Sequence, residues 1–226
     1  MANVSKTIDV QLVNHARWAP SSKTLKRLFD IFVSASMLLL FLPLMVTITA
    51  LILLLSGRGV LFAQPRVGRG GEEFPCFKFR TMVPDAQERL DELLATDPSA
   101  RAEWDATRKL VNDPRIIPGI GHLLRKSSLD ELPQLINVLR GEMSIVGPRP
   151  VVRDELEKYG QWKRYYLFVR PGLTGPWQIG GRNNCTYNER VRKDVDYVVN
   201  WSFARDMQIF VQTVTKFITG RLCGAN

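Results

Sequence analysis

Uncharged residues run without a break from Ile31 to Gly57, 27 positions in all, and nowhere else in the chain is the polar–apolar rhythm interrupted for so long. About 20 apolar residues are enough to cross a bilayer, so the run has the length of a membrane helix. Pro43 stands thirteenth in it, near the middle. A proline inside a helix removes one backbone hydrogen bond and crowds the preceding turn, which kinks or breaks the helix. Membrane helices tolerate that, so the proline alone does not choose between a crossing and a turn back. The flanks add to it. Lys23, Lys26 and Arg27 precede the run, and Arg58, Arg66 and Arg69 follow it. Orientation across a membrane rests on an asymmetry of basic residues, and here there is none. Equal basic flanks suit two ends on one cytoplasmic face, with the helix bent at Pro43. Each arm would then be about 18 Å of helix, enough for one leaflet.

After the run, the pattern shortens. Residues 60 to 82, "VLFAQPRVGRGGEEFPCFKFRTM", predict a β-hairpin turning at "GRGG". A phosphate-cradling loop at "GRGG" would need a helix after it, and no helical pattern follows. Between Asp85 and Leu110, Leu90, Leu93, Leu94 and Trp104 recur at helical spacing, with Pro98 dividing two helices. That face suits a core or a membrane surface equally. "LDELPQLINVL" predicts a helix closed by Gly141, and "EMSIVGPRP" a short strand entering a stiff loop. The loop "RPGLTGPWQIGGR" precedes a helical stretch from 188 to 219, whose apolar face is Phe203, Met207, Phe210, Val211, Val214 and Phe217 or Ile218. The expected class is α+β, mainly helical. It comprises a mobile tail over 1–22, a re-entrant membrane helix over 23–57, and a cytoplasmic domain over 58–226.

Composition narrows the partners. A formal charge of +9 suits nucleic acid, anionic lipid or phosphorylated small molecules. The apolar anchor beside the basic residues favours the latter two, and no nucleic-acid motif is present, so no nucleic-acid partner is expected. Cys76, Cys185 and Cys223 are far apart and odd in number, which makes neither a disulfide framework nor a zinc pattern. With only His15 and His122, histidine-based triads have little material.

The sharpest local signal is "SSLDELPQL", where Asp130 and Glu131 are adjacent. Pro133 is tolerated only in a first turn, so both acids should open a helix. One reading is a plain helix cap. The other is an ionised carboxylate, favoured by the helix terminus, that serves as nucleophile or metal ligand beside phosphate-holding donors. Arg125 lies five residues upstream, Arg149 sits in "GPRP", and Lys78 and Arg80 come from "KFRTM". Two acids among such basic groups point to a divalent metal and an oligophosphate substrate, since guanidinium forks match phosphate oxygens. "DVD" at 194–196 resembles a metal-binding triplet of nucleotide-sugar enzymes, but it is short and sits in a helical pattern.

Together, "LKRLFDI", "KFRTM", "RKSSLDELPQLINVLRGEMSIVGPRP", "RPGLTG" and "DVDYVVNWSFARDMQIFVQTV" resemble the bacterial sugar transferase family, the monotopic phosphoglycosyl transferases, from about Lys26 to Thr219. The resemblance implies transfer of a sugar-1-phosphate from a UDP-sugar to undecaprenyl phosphate, with release of UMP. This would be the first membrane step of exopolysaccharide or related glycoconjugate synthesis. It makes Asp130 the nucleophile on the β-phosphorus, with Glu131 as a second acid for metal binding or base work, and Mg²⁺ as cofactor. It places Lys78, Arg80, Arg125 and Arg149 around the phosphates, Asp194 as support near the site, and Pro43 at the membrane hinge. The implied location is the cytoplasmic face of a bacterial inner membrane. A homodimer is compatible with all this, without a feature that carries it. The competing readings are a glycosyltransferase that releases UDP and an inactive membrane-anchored scaffold.

Overall fold

In a computed structural model, which describes residues 18–107, 110–180 and 186–219, the chain is mainly helical with two small sheets. The long apolar run lies in a single helix, α1 (Pro20–Ser56), which carries Pro43 within it. Next come β1 (Leu61–Val67) and β2 (Glu73–Phe79), the expected hairpin, joined by a short 3-10 turn in which Gly70 and Gly71 take positive φ. Helices α2 (Ala86–Thr96) and α3 (Pro98–Thr107) divide at Pro98 as expected, and Leu90 is buried. Helix α4 (Ile120–Ser127) leads to α5 (Gln134–Arg140), which Gly141 ends in the left-handed conformation.

Strand β3 (Ser144–Val146) pairs in parallel with β4 (Gly172–Thr174), a strand that the sequence pattern read only as loop. Between them lie α6 (Arg153–Glu157) and α7 (Lys163–Phe168), and after them α8 (Pro176–Ile179). The expected single helical stretch at the C-terminal end is two helices, α9 (Tyr187–Val199) and α10 (Phe203–Ile218). Each has its own N-cap, a Thr186–Glu189 capping box and Ser202, and this start signal explains the break. The expected apolar face of α10 divides as well. Ile209 is its buried apolar residue and Phe210 meets Phe29 edge-on, whereas Val211, Val214, Phe217 and Ile218 are exposed.

Two compact units are present. Among the described residues, one comprises 18–40, 63–77, 133–180 and 186–219; the other comprises 41–62, 78–107 and 110–132. Helix α1 contributes to both.

In the first unit α1 is held by charges that read, in sequence, as membrane flanks. Lys26 Nζ lies 2.6 Å from Asp206 Oδ2 and donates to the carbonyl of Val146 at 2.9 Å. Asp206 is fully buried and also accepts from the Tyr197 hydroxyl at 2.7 Å and the Trp201 indole at 3.0 Å. Three donors on one carboxylate, from Lys26, Tyr197 and Trp201, are what a buried charge requires. The Arg27 guanidinium donates to the carbonyls of Val138 and Leu139 at 2.6 and 2.7 Å, capping the C-terminal end of α5, where a cation also suits the helix dipole. Asp30, buried in α1, accepts from the Ser144 hydroxyl and the Ile145 N–H, both at 2.9 Å. Lys26 and Arg27 are therefore docking groups rather than solvated flank charges.

The tail expected over 1–22 falls largely on residues 1–17, outside the described residues. Its last part is not tail: Trp18 is buried, stacks on Trp201 at 4.2 Å and donates to Val198 O, and α1 has begun by Pro20. A full indole face gains more from burial than a tail gains from freedom.

The glycines of "GPRP" and "RPGLTGP" have a geometric cause. Gly147 N–H donates to Thr174 O, and Gly172 N–H donates to Pro148 O at 2.7 Å. A Cβ on Gly172 would stand 2.1 Å from Gly147 N and 2.5 Å from Thr174 O. The two backbones run too close for any side chain, and the loop that bears Arg149 starts from this contact. Gly172→Ala should therefore cost at least about 3 kcal/mol by overpacking. Gly160→Ala, at a positive φ with nothing within 4 Å, should cost only about 1 kcal/mol. Thermal unfolding of the two variants in detergent checks this, and equal losses would contradict the close-approach account.

Candidate functional site

The second unit holds the acid pair. After α4 the chain turns at Ser128, whose φ of 59° makes it the one non-glycine residue with positive φ among the described residues. That conformation costs about 1–2 kcal/mol for an L-residue. It turns the chain into a 3-10 turn, Leu129–Glu131, that displays both acids. This corrects the expectation that the acids open a helix. α5 begins only at Gln134, because Pro133 occupies its cap position, and no Ser side chain caps the turn. The helix terminus therefore does not account for an ionised Asp130.

Burial acts in the opposite direction. The Asp130 side chain is 12% exposed, and loss of water pushes its pKa above the ordinary carboxylate value; Lys78 pulls it down, Glu131 raises it, and Arg125 lowers it. Lys78 is the cation in contact. Its Nζ lies 2.7 Å from Glu131 Oε1 and 3.6 Å from Asp130 Oδ2. Arg125 is exposed on α4 and acts on Asp130 through its field. Arg80, also in this unit, lies across the backbone of Gly59, where a Cβ would come within 2.7 Å of its guanidinium carbon. Only glycine leaves it that bed.

The backbone of β2 is fixed just before Lys78. Asn137 of α5, fully buried, accepts from Phe77 N–H at 3.0 Å and donates to Pro75 O at 2.7 Å. It acts as a two-sided backbone clamp just ahead of "KFRTM". Sequence reasoning passed over this residue. The signal was an amide in the middle of the apolar "LINVL".

Arg149 and Asp194 belong to the first unit. The Arg149 guanidinium lies over the Trp177 ring at 5.6 Å, and Arg190 lies over the same ring at 4.9 Å while pairing with Glu155 at 2.7 Å. Asp194 is 2% exposed, accepts from the Tyr159 hydroxyl at 2.8 Å, and is pushed up to about 6, chiefly by burial. Asp196, the other acid of "DVD", pairs with Arg205. The two carboxylates thus serve different partners.

Among the described residues no group of three or more His, Cys, Asp or Glu comes together. Asp130 and Glu131 nonetheless fit Mg²⁺. They offer hard oxygen donors, they already face a cation in Lys78, and Mg²⁺ usually takes one or two carboxylates and completes its shell with water and substrate phosphate. A carboxylate short of water beside an ammonium is also suited to attack on phosphorus.

Comparison with known proteins gives a consistent result. The family model described as bacterial sugar transferase matches residues 21–220. ExoY of Rhizobium meliloti, an exopolysaccharide production protein, is 51% identical over 189 residues, covering 84% of this chain and 83% of its own. The undecaprenyl-phosphate galactose phosphotransferase of Salmonella typhimurium is 51% identical over 193 residues, 85% of this chain. The UDP-glucose:undecaprenyl-phosphate glucose-1-phosphate transferase of Escherichia coli is 36% identical over 203 residues. The chain spans about 40% of the length of each of the last two.

Because burial raises the Asp130 pKa, its folded form holds a proton more firmly than its unfolded form. Its contribution to stability is therefore full below the unfolded pKa and is lost as pH rises through the folded one. Asp130→Asn should melt higher than the parent at pH 7, by about 1–4 °C, with the gap closing toward about pH 4. Thermal melts across that range check it, and a lower melting point for the variant at pH 7 would contradict it.

Proposed function

We propose, given that the chain belongs to the bacterial sugar transferase family, that it transfers a sugar-1-phosphate from a UDP-sugar to undecaprenyl phosphate and releases UMP. The observation that carries this reading is the buried Asp130 carboxylate with Lys78 and Glu131 against it. The names of the Salmonella and Escherichia relatives support the choice of lipid acceptor.

In this mechanism an Asp130 oxygen attacks the β-phosphorus of the donor. The bond from that phosphorus to the bridging oxygen breaks, and UMP leaves with the electron pair. Asp130 now carries the phosphosugar as a mixed anhydride. A phosphate oxygen of the lipid then attacks the same phosphorus, the bond to the Asp130 oxygen breaks, and the carboxylate is restored with a lipid diphosphate sugar as product. Two displacements replace one between bulky anions. The lipid phosphate, with a second pKa near 6, is already largely ionised, so little base assistance is needed. Lys78 and Arg125 place positive charge where the transferring oxygens gain negative charge. Asp130 and Glu131 would hold Mg²⁺, which when bound supplies charge neutralisation on the diphosphate. Arg80 would hold further phosphate oxygens, and Asp194, with no exposed carboxylate to offer, would act within its own unit by holding α9 against Tyr159.

The acceptor reading also favours a re-entrant α1. Val33 and Ser34 on one side of the apolar run and Ile48 and Ile52 on the other are buried, although the most apolar 18-residue stretch of the helix, with a mean hydropathy of 2.8, is otherwise largely bare. Residues 35 to 47, the 13 between, measure about 20 Å as helix. The hydrocarbon core is about 30 Å thick. A segment that short reaches one leaflet, with Pro43 as its hinge, and keeps the site at phosphate depth on the cytoplasmic face.

Purified protein in detergent with Mg²⁺, undecaprenyl phosphate and a panel of UDP-sugars should release UMP with its preferred donor, continuing beyond one turnover only when lipid is present. Asp130→Asn should lower turnover by at least about 10³-fold. Release of UDP, or full turnover in that variant, would contradict the reading. For topology, cysteines placed at Ser21 and Arg58 should both resist an impermeant maleimide in intact spheroplasts and both react in inverted vesicles. Labelling of one end from outside would establish a crossing.

A further inference from the structure

The ammonium of Lys78 rests on the two carboxylates themselves. Nζ is 2.7 Å from Glu131 Oε1, hydrogen-bonded to it, and 3.6 Å from Asp130 Oδ2. All three side chains are largely shielded, at 26%, 26% and 12% exposure, so solvent screens this contact less than a surface pair. From this arrangement we infer that Lys78 is a resident counter-ion that competes with the divalent metal for the acid pair and yields it only when a diphosphate draws the ammonium away. The inference rests on the reading that Asp130 and Glu131 take a metal.

Two features make the exchange possible. Asn137 fixes the backbone of Pro75 and Phe77, so the strand holds still just before Lys78 and the adjustment must come from the lysine side chain. That side chain is a point charge on a flexible four-carbon stem, able to leave one anion for another without moving the strand. A divalent cation and an ammonium cannot both lie against the same two carboxylates without repelling each other strongly. A substrate diphosphate resolves the conflict, because it gives the ammonium a second anion and the metal further oxygens. Metal and diphosphate should then each strengthen the binding of the other by the same factor. Part of that factor belongs to Lys78. The arrangement also offsets part of the negative charge of the acid pair between turnovers, with no need for a tightly bound ion.

The test uses Mn²⁺ as the metal probe, with the free ion counted by electron paramagnetic resonance, on the full chain in detergent without substrate. Lys78→Gln should bind Mn²⁺ at least about fivefold more tightly than the parent, in the range of ordinary coupling energies. Lys78→Arg, which keeps the charge, should stay as weak as the parent. Adding UDP should tighten Mn²⁺ binding more in the parent than in Lys78→Gln. Thermal melts verify that the variants are folded, and Lys78→Met replaces Lys78→Gln if that one is not. Equal or weaker Mn²⁺ binding in the neutral variants, with binding lost in Glu131→Gln, would overturn the role of Lys78 and leave the metal reading intact. Mn²⁺ binding that ignores Glu131→Gln, or none in any protein, would overturn the metal reading and this inference with it.

Discussion

A lysine ammonium against a fully buried aspartate, Lys26 on Asp206 at 2.6 Å, fixes an otherwise lipid-suited helix to a folded protein. The same Nζ donates to Val146 O at the end of β3, and Tyr197 and Trp201 complete the shell of the carboxylate. Next to it, Arg27 closes the end of α5, and Asp30 holds the backbone of β3 at Ile145. A helix that is apolar on every side has no preferred face for a partner. Three charged residues in its first turns supply one. Removing a single partner from such a cluster would strand a buried charge, the costly case for an ion pair.

From that anchor the chain reaches both parts of the proposed chemistry by covalent connection. β3 runs directly into "GPRP" and Arg149, across a backbone contact that leaves no room for a Cβ on Gly147 or Gly172. α5 carries Asn137, which clamps β2 just before Lys78, and follows the turn that displays Asp130 and Glu131. The Asp130 carboxylate is shielded from water and raised in pKa, the neighbouring Glu131 adds to that shift, and the ammonium of Lys78 offsets part of it locally.

The elements with a clear period or punctuation were legible in the sequence: the apolar helix, the hairpin at "GRGG", the division at Pro98, and the stop at Gly141. What escaped was set by contacts distant in sequence. β4 is three residues long and exists because β3 lies beside it, so no local pattern announces it. The break between α9 and α10 was signalled by Ser202, but an unbroken helical period masked it. Lys26 and Arg27 read as flank charges because their partners lie more than 100 positions away. For the site, residue types carried most of the information: the acid pair and Lys78 do meet. Their setting did not, since Pro133 delays the helix and burial reverses the expected effect on Asp130. Asn137 went unnoticed because a polar residue in an apolar helix reads as a blemish until its partners are seen.

The claim at the centre of this account is that Asp130 carries the phosphosugar between the two half-reactions. Mixing the enzyme with a UDP-sugar labelled at the β-phosphate, in the absence of lipid, followed by rapid quench and peptide mass spectrometry, addresses it directly. The account predicts label on the peptide containing Asp130, one equivalent of UMP released at once, and transfer of the label to undecaprenyl phosphate when lipid is added. Release of UMP only on addition of lipid, with no label on the protein at any time, would mean a single direct displacement and would contradict it.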